Sequence, residues 1–283
     1  MKSLEQRFPS RRALITGATS GFGEALAYHL AARGWKVAVT GRQPAAVART
    51  VDEVNRRGGT GIGLALEVRE QAQWDRVQHE LVQAWGGIDL LVNNAGIADS
   101  NNFVDIGWSD WTDLMATNLD GVIHGCRAFV PGMIAQGSGH ILNVASAAGL
   151  LSLPEMANYN VSKAGVVALS ETLCTELSRA NIGVTVLCPA AFKSGLLDNA
   201  IKAGRDMSTA SSVGRFLKRD MEAGKHTSQS VAAHAVKDMG KGQLYSIPQP
   251  LYRLAWFLKR LAPNSFYQLV GWMYRHRIAP FAA

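Results

Sequence analysis

Apolar and polar positions along this chain alternate between two repeats. "RALITGA" (12–18) is a short apolar run ending in Thr-Gly, which predicts a strand. "FGEALAYHLAARG" (22–34) spaces its apolar residues as a helix and stops at Gly34. The same alternation continues through strands in "WKVAVTGR" (35–42), "GIGLALEV" (61–68), "GIDLLVNNAG" (87–96), "GHILNVASAAG" (139–149) and "IGVTVLCP" (182–189). Helical spacing covers 43–57, 70–85, a long stretch at 108–135 with Pro131 and Gly132 near its end, and 157–180. Continuous apolar strands alternating with helices over short connections predict a parallel sheet covered on both faces. Past Pro189 the pattern loosens. Residues 192–227 read as a loop-and-helix insertion, 228–239 as a helix and "QLYSI" (243–247) as a seventh strand.

The first strand-to-helix turn reads "TGATSGFG" (16–23). Three glycines let backbone approach a pyrophosphate closely, and the helix start offers free N–H groups and positive partial charge. A glycine triplet alone is weak, but here it sits between a predicted strand and a predicted helix. With about seven strands, a doubly wound, dinucleotide-binding sheet is the expected α/β fold, in one domain with a helical C-terminal extension. The end of the second strand should meet the adenosine ribose. It offers Thr40, Gly41 and Arg42 and no acid, and a guanidinium there can clamp a 2′-phosphate. That favours NADP(H) over NAD(H).

"YNVSKAG" (159–165) places Tyr159 and Lys163 four apart on a predicted helix, close enough to be neighbours. A free phenol titrates near pH ~10, and a nearby ammonium favours its ionised form. Such a pair can pass a proton to the alkoxide that forms when a carbonyl accepts hydride. Ser146 ends the fifth strand thirteen positions earlier, at the carboxyl edge where open α/β sheets bind ligands. Asn118, inside "MATNLDGVIHG", is an unfavourable helix-interior residue, consistent with a kink, a buried backbone hydrogen bond or a functional role.

These motifs, with "NNAG" (93–96) and "CPAAFKS" (188–194), resemble the short-chain dehydrogenase/reductase family in order and spacing over about residues 11–195. The resemblance implies a Rossmann-type fold, a nicotinamide cofactor and carbonyl/alcohol redox chemistry. It implies Tyr159 as general acid/base, Lys163 as its activator reaching the cofactor ribose, Ser146 as holder of the carbonyl oxygen and Asn118 as anchor of a proton-relay water. It implies cofactor contacts at Gly17, Thr19, Ser20, Gly21, Phe22, Gly23, Arg42, Glu67, Val68, Asn94, Ala95, Gly96, Tyr159, Lys163, Pro189, Phe192 and Ser194. A homodimer or homotetramer, with 108–135 and 157–180 as contact helices, is implied as well. The chain departs from the family in Glu67 for the usual Asp, Pro189-Ala190 for Pro-Gly, Ser194 for Thr, and a missing glycine-rich ending.

Substrate walls are expected from 97–103, "AAGLLSLPEM" (147–156) and the stretch from Phe192 onward. Ala148, Leu150, Leu151, Leu153, Met156, Phe192, Leu196 and Leu197 make that supply mostly apolar. A hydrophobic ketone, aldehyde or alcohol is therefore the expected substrate, with the insertion as a candidate lid.

Composition changes the picture only at the end of the chain. Of 283 residues 47% are hydrophobic, mean hydropathy is +0.01, and no apolar run reaches the roughly 18 residues of a membrane span. The first residues lack the apolar core of a signal peptide. Three cysteines, an odd number without metal-type spacing, fit a reducing, cytoplasmic setting. Seven scattered histidines predict no metal site, the missing G-x-S-x-G elbow argues against a hydrolase, and no nucleic-acid module is recognisable. Nearly all of the net charge of +7 sits in residues 239–283, which hold six Lys or Arg, no Asp or Glu, and nine of the 22 aromatics, leaving residues 1–238 at +1. Leu251, Leu254, Ala255, Leu258 and Leu261 follow helical spacing. Pro263 interrupts it, and Phe266, Leu269, Val270 and Met273 resume it, predicting two amphipathic helices. Packing on the body or a neighbouring subunit, peripheral contact with an anionic membrane, and binding of anionic substrates such as acyl-CoA phosphates all fit this tail. Two other functional readings stand beside the carbonyl reductase. One is a fatty acyl, retinoid or steroid-type reductase at a membrane surface, and the other a non-catalytic NADP(H)-binding regulator.

Overall fold

A computed structural model describes residues 3–196, 200, 211–224 and 226–281. Seven parallel strands form one sheet: β1 Arg12–Ile15, β2 Lys36–Gly41, β3 Thr60–Ala65, β4 Leu90–Asn93, β5 Gly139–Val144, β6 Ile182–Leu187 and β7 Tyr245–Ser246. Their order is β3-β2-β1-β4-β5-β6-β7. The order reverses between β1 and β4, which opens a crevice at the strands' carboxyl ends. Among the described residues the helices are α1 Leu4–Arg7, α2 Gly21–Ala31, α3 Pro44–Arg56, α4 Gln71–Trp85, α5 Trp108–Met115, α6 Gly121–Gln136, α7 Ala147–Leu151, α8 Ala157–Glu176, α9 Ser212–Ala223, α10 Ser228–Gly240, α11 Pro250–Leu261 and α12 Pro263–Arg275.

Strand side chains alternate between the two sheet faces, and each face has its own core. Leu14, Leu91 and Ile141 pack with Trp74 of α4, Phe129 of α6 and Val166 of α8. Their neighbours Ala13, Ile15, Leu90, Val92 and Leu142 pack with Leu26 and Leu30 of α2, Val54 of α3 and Val231 of α10. Strands buried on both faces read as continuous apolar runs, which is why the sequence announces them so plainly.

Three local features depart from the sequence expectation. The long helix at 108–135 is two helices joined by a π-helical turn, Ala116–Asp120, that contains Asn118. Leu4–Arg7 and Ala147–Leu151 are short helices that the apolar pattern did not announce. The two tail helices exist, and the predicted stripe is divided: Ala255, Phe266, Val270 and Met273 pack inward, whereas its leucines do not. Tyr252, Ala255, Trp256 and Phe266 face the core, while Leu251, Leu254, Leu258 and Leu261 are exposed.

Candidate active site

A cleft of about 410 Å³ lies over the carboxyl edge of the sheet, running from Gly17 and Arg42 to Tyr159, Pro189 and Phe192. At one end the β1–α2 turn brings backbone close to the cavity. Gly21 has φ +58°, and a Cβ there would collide with the Ser194 carbonyl. Ser20 occupies the N-cap of α2 with no side-chain cap hydrogen bond, leaving the first-turn N–H groups available to an anion. Gly17, Thr19, Ser20, Gly21 and Phe22 line the cleft. Gly23 is not among its lining residues; a side chain there would meet the Asn94 amide and the Gly17 carbonyl, so it serves close packing of helix on strand. Asn94 holds this turn to β4, its amide donating to Thr16 O at 2.7 Å and Gly17 O at 3.1 Å.

Arg42 is 72% exposed at the cleft's adenosine end, its Nη1 3.8 Å from Glu67. Glu67, Val68, Asn94, Ala95 and Gly96 are also in the wall. The sequence reading missed Arg69, which lines the same end between Glu67 (3.3 Å) and Asp113 (3.4 Å). Its only signal was a second base two positions after Glu67. The turn and the uncapped helix start fit a dinucleotide phosphate chain, and Arg42 and Arg69 offer guanidiniums at that end, each within 4 Å of a carboxylate.

The other end is built on α7 and α8. Tyr159 and Lys163 project from one face of α8, with Nζ 5.8 Å from the phenol ring centre. Lys163 Nζ donates to Val144 O at the end of β5, 2.9 Å away. Ser146 follows that strand as N-cap of α7, where its hydroxyl accepts from Ala148 N at 3.2 Å and donates to Pro189 O at 3.4 Å. All three residues line the cleft. The expectation that Lys163 depresses the phenol's pKa needs correction. Burial dominates and pushes the Tyr159 phenol up, with the Ser146 hydroxyl pulling the other way. Burial acts on the ammonium too, lowering Lys163 to about 8 against a small upward pull from Cys188.

Asn118 is fully buried and is not among the cleft's lining residues. Its side-chain oxygen accepts from Ile97 N at 2.8 Å, and its amide donates to Ile97 O at 2.9 Å and Ser162 Oγ at 3.3 Å. Ser162 in turn donates to Tyr159 O at 2.9 Å. The π turn thus aims one amide at the strand β4 exit and at the helix carrying Tyr159.

Ala148, Leu153, Met156, Phe192 and Leu196 line the substrate end, as does Ser194 nearby. Leu150 does not; it belongs to the core. Leu197 lies outside the described residues. Ile97 and Ala98 line the cleft from the β4 side. Sequence reasoning missed Leu217 and Met221 of α9 and Tyr252 of α11, because nothing local says which distant helix will close a wall. It also missed Asn160, whose amide fixes Leu153 O at 2.6 Å.

A doubly wound sheet, a phosphate-binding turn at its switch point and a Ser-Tyr-Lys set in one cleft define a nicotinamide-dependent oxidoreductase. The family model for short chain dehydrogenases matches residues 11–204, and the chain belongs to that family. It is 34% identical over 189 residues to the 3-oxoacyl-(acyl-carrier-protein) reductase of Staphylococcus epidermidis, covering 66% of this chain and 77% of that protein. The corresponding Vibrio cholerae reductase is 33% identical over 184 residues, covering 65% and 74%. Among solved structures, a short chain dehydrogenase/reductase from Burkholderia phymatum in complex with NAD superposes with a TM-score of 0.82 at 33% identity, covering 90% of this chain and 94% of that one. A gluconate 5-dehydrogenase from Burkholderia cenocepacia, in complex with NADP and tartrate, gives 0.70 at 28% identity over 84% and 92%.

Proposed function

We propose that this chain is an NADP(H)-dependent reductase of hydrophobic ketones or aldehydes. The observation that carries this reading is one continuous cleft with arginines at one end and Ser146, Tyr159 and Lys163 beside an apolar wall at the other. A nicotinamide held in this cleft would supply the hydride for the carbonyl carbon. Ser146 holds the carbonyl oxygen through its hydroxyl. Tyr159, a phenol protonated at neutral pH and pushed further up by burial, gives its proton to the oxygen as negative charge develops there. Lys163, at about 8, is mostly charged at neutral pH and balances the phenolate left behind. Asn118 positions the Tyr159 helix against the Ile97 backbone. Arg42 and Arg69 favour a 2′-phosphate over a bare ribose hydroxyl, although Glu67 offsets part of their charge.

Leu151, Leu153, Met156, Leu196, Leu217 and Met221 support an apolar substrate. Reduction of a 3-oxoacyl carbonyl, the activity named for the bacterial relatives, is one member of this class. Those relatives match about two thirds of this chain, and α11 with Tyr252 lies beyond residues 11–204, which the family model covers.

The test is loss of NADPH absorbance against a panel of aliphatic and aromatic ketones and aldehydes. Wild type should turn over at least one, and Tyr159→Phe should lower kcat by about 10²- to 10⁴-fold while NADPH affinity is kept. Unchanged turnover in Tyr159→Phe removes this residue from the mechanism. NADPH binding without oxidation of any panel member favours the regulator reading.

A further inference from the structure

The tail presents two faces, and only one is used by the body. On the inner side Lys259 Nζ donates to Leu150 O at 2.6 Å and Tyr267 to Leu151 O at 2.9 Å, capping the last carbonyls of α7. Tyr274 donates to Glu155 at 3.0 Å, and Trp256 stacks on Tyr245 with ring centres 4.6 Å apart. On the outer side Leu251, Leu254, Leu258 and Leu261 recur at steps of three and four, so they form one stripe along α11. They are 72%, 54%, 49% and 67% exposed. Phe257 widens the stripe, and Leu269 and Trp272 are exposed on α12. Arg253, Arg260, Arg275 and Arg277 are exposed on the same two helices and the turn after them.

We propose that this outer face docks on an anionic lipid bilayer, lying in the headgroup region without crossing it. Among the described residues no helix is long and apolar enough to cross a membrane. A leucine stripe with an aromatic flank and a basic border has the chemistry of an interfacial helix: the apolar side enters the acyl boundary and the bases meet lipid phosphates. Charge argues against a second copy as occupant. Residues 239–283 contain no acid, so a two-fold contact through this face would set arginines against their own copies. A bilayer rich in anionic lipid supplies the missing counter-charge. Docking would also hold the cleft at the surface, because Tyr252 on the inner side of α11 lines the substrate end.

Co-sedimentation of the full chain with phosphatidylcholine vesicles, with and without roughly 30 mol% phosphatidylglycerol, tests this. Wild type should pellet with the anionic vesicles and be released by salt. Leu254→Gln/Leu258→Gln/Leu261→Gln, all at exposed positions, should cut the bound fraction about tenfold while keeping the thermal unfolding midpoint. Arg275→Gln/Arg277→Gln should weaken binding to anionic vesicles alone. Failure of wild type to pellet, or equal pelleting by the leucine variant, overturns the proposal. So does a wild-type oligomer that the leucine variant dissociates in light scattering, since the face would then be a subunit contact. The readout needs no turnover. NADPH oxidation in vesicle-free buffer reports separately on the reductase reading and should be equal in wild type and the leucine variant.

Discussion

At the scale of single residues, the chemistry of the cleft turns on burial more than on charge pairing. Tyr159 and Lys163 are four apart on α8, as their spacing required, yet the Lys163 ammonium is committed to Val144 O and the phenol's pKa is pushed up. The sequence revealed the residues because their types and spacing are local. It could not reveal the sign of the shift, which depends on how much surrounding protein excludes water from α8. Arg42 lies at the opposite end of the cleft. Arg42→Asp should move the NADPH-to-NADH preference toward NADH by about 10- to 100-fold, measured as the ratio of kcat/KM values. An unchanged ratio would leave Arg69 as the phosphate ligand or remove the phosphate role altogether.

At the scale of elements, two polar insertions in the apolar pattern show what local sequence conceals. Asn118 is costly in a regular helix, and the chain answers with a π turn that frees its amide for Ile97 and Ser162. The composition hinted at an irregularity there; its form followed from where β4 and α8 lie. His140 on β5 is fully buried in the sheet. Thr185 donates its hydroxyl proton to Gln243 O at 2.7 Å, so its oxygen accepts from His140 Nε2 at 2.9 Å. That assignment leaves Nδ1 bare against Gly183, with no hydrogen-bond partner. Burial, with a contribution from Arg7, pulls this imidazole down to about 3. The unfolded chain therefore takes up a proton below pH ~6.5 that the native sheet refuses. The stabilisation is fully present above that pH and is lost as pH falls from about 6.5 toward about 3. Urea unfolding should give a lower midpoint at pH ~5 than at pH ~7.5, and His140→Gln, if folded, should flatten that dependence. A wild-type midpoint that does not fall would show that His140 is protonated in the sheet.

At the scale of the whole molecule, Glu155 joins parts distant in sequence. Its φ of +59° turns the wall segment after α7 so that the carboxylate meets Ser212 Oγ at 2.9 Å, Val213 N at 2.9 Å and Tyr274 OH at 3.0 Å. Burial works to raise this carboxyl, but its donors prevail and hold it below the ordinary range. The candidate lid helix α9 and the tail helix α12 thus share one anchor. Glu155→Ala should raise the rate of limited proteolysis within α9 about tenfold, the effect of losing about 1.4 kcal/mol of hydrogen bonding. An unchanged cleavage rate would mean that α9 is held without it.

Taken together, the sequence by itself determined the alternating sheet, the phosphate-binding turn and the identities of Ser146, Tyr159 and Lys163. Each is written in local periodicity or short spacing, where neighbours along the chain are neighbours in space. Only tertiary structure decided the rest. It placed Asn118 behind the cleft, Arg69 on its wall, and Tyr252 of the tail across the substrate end. It also chose which side of α11 to bury. Periodicity gives a helix its apolar stripe, but the contacts available from Leu150, Leu151 and Tyr245 selected the Tyr252–Trp256–Lys259 side. The leucines were left facing outward because no residue of the described body reaches around the helix to cover them.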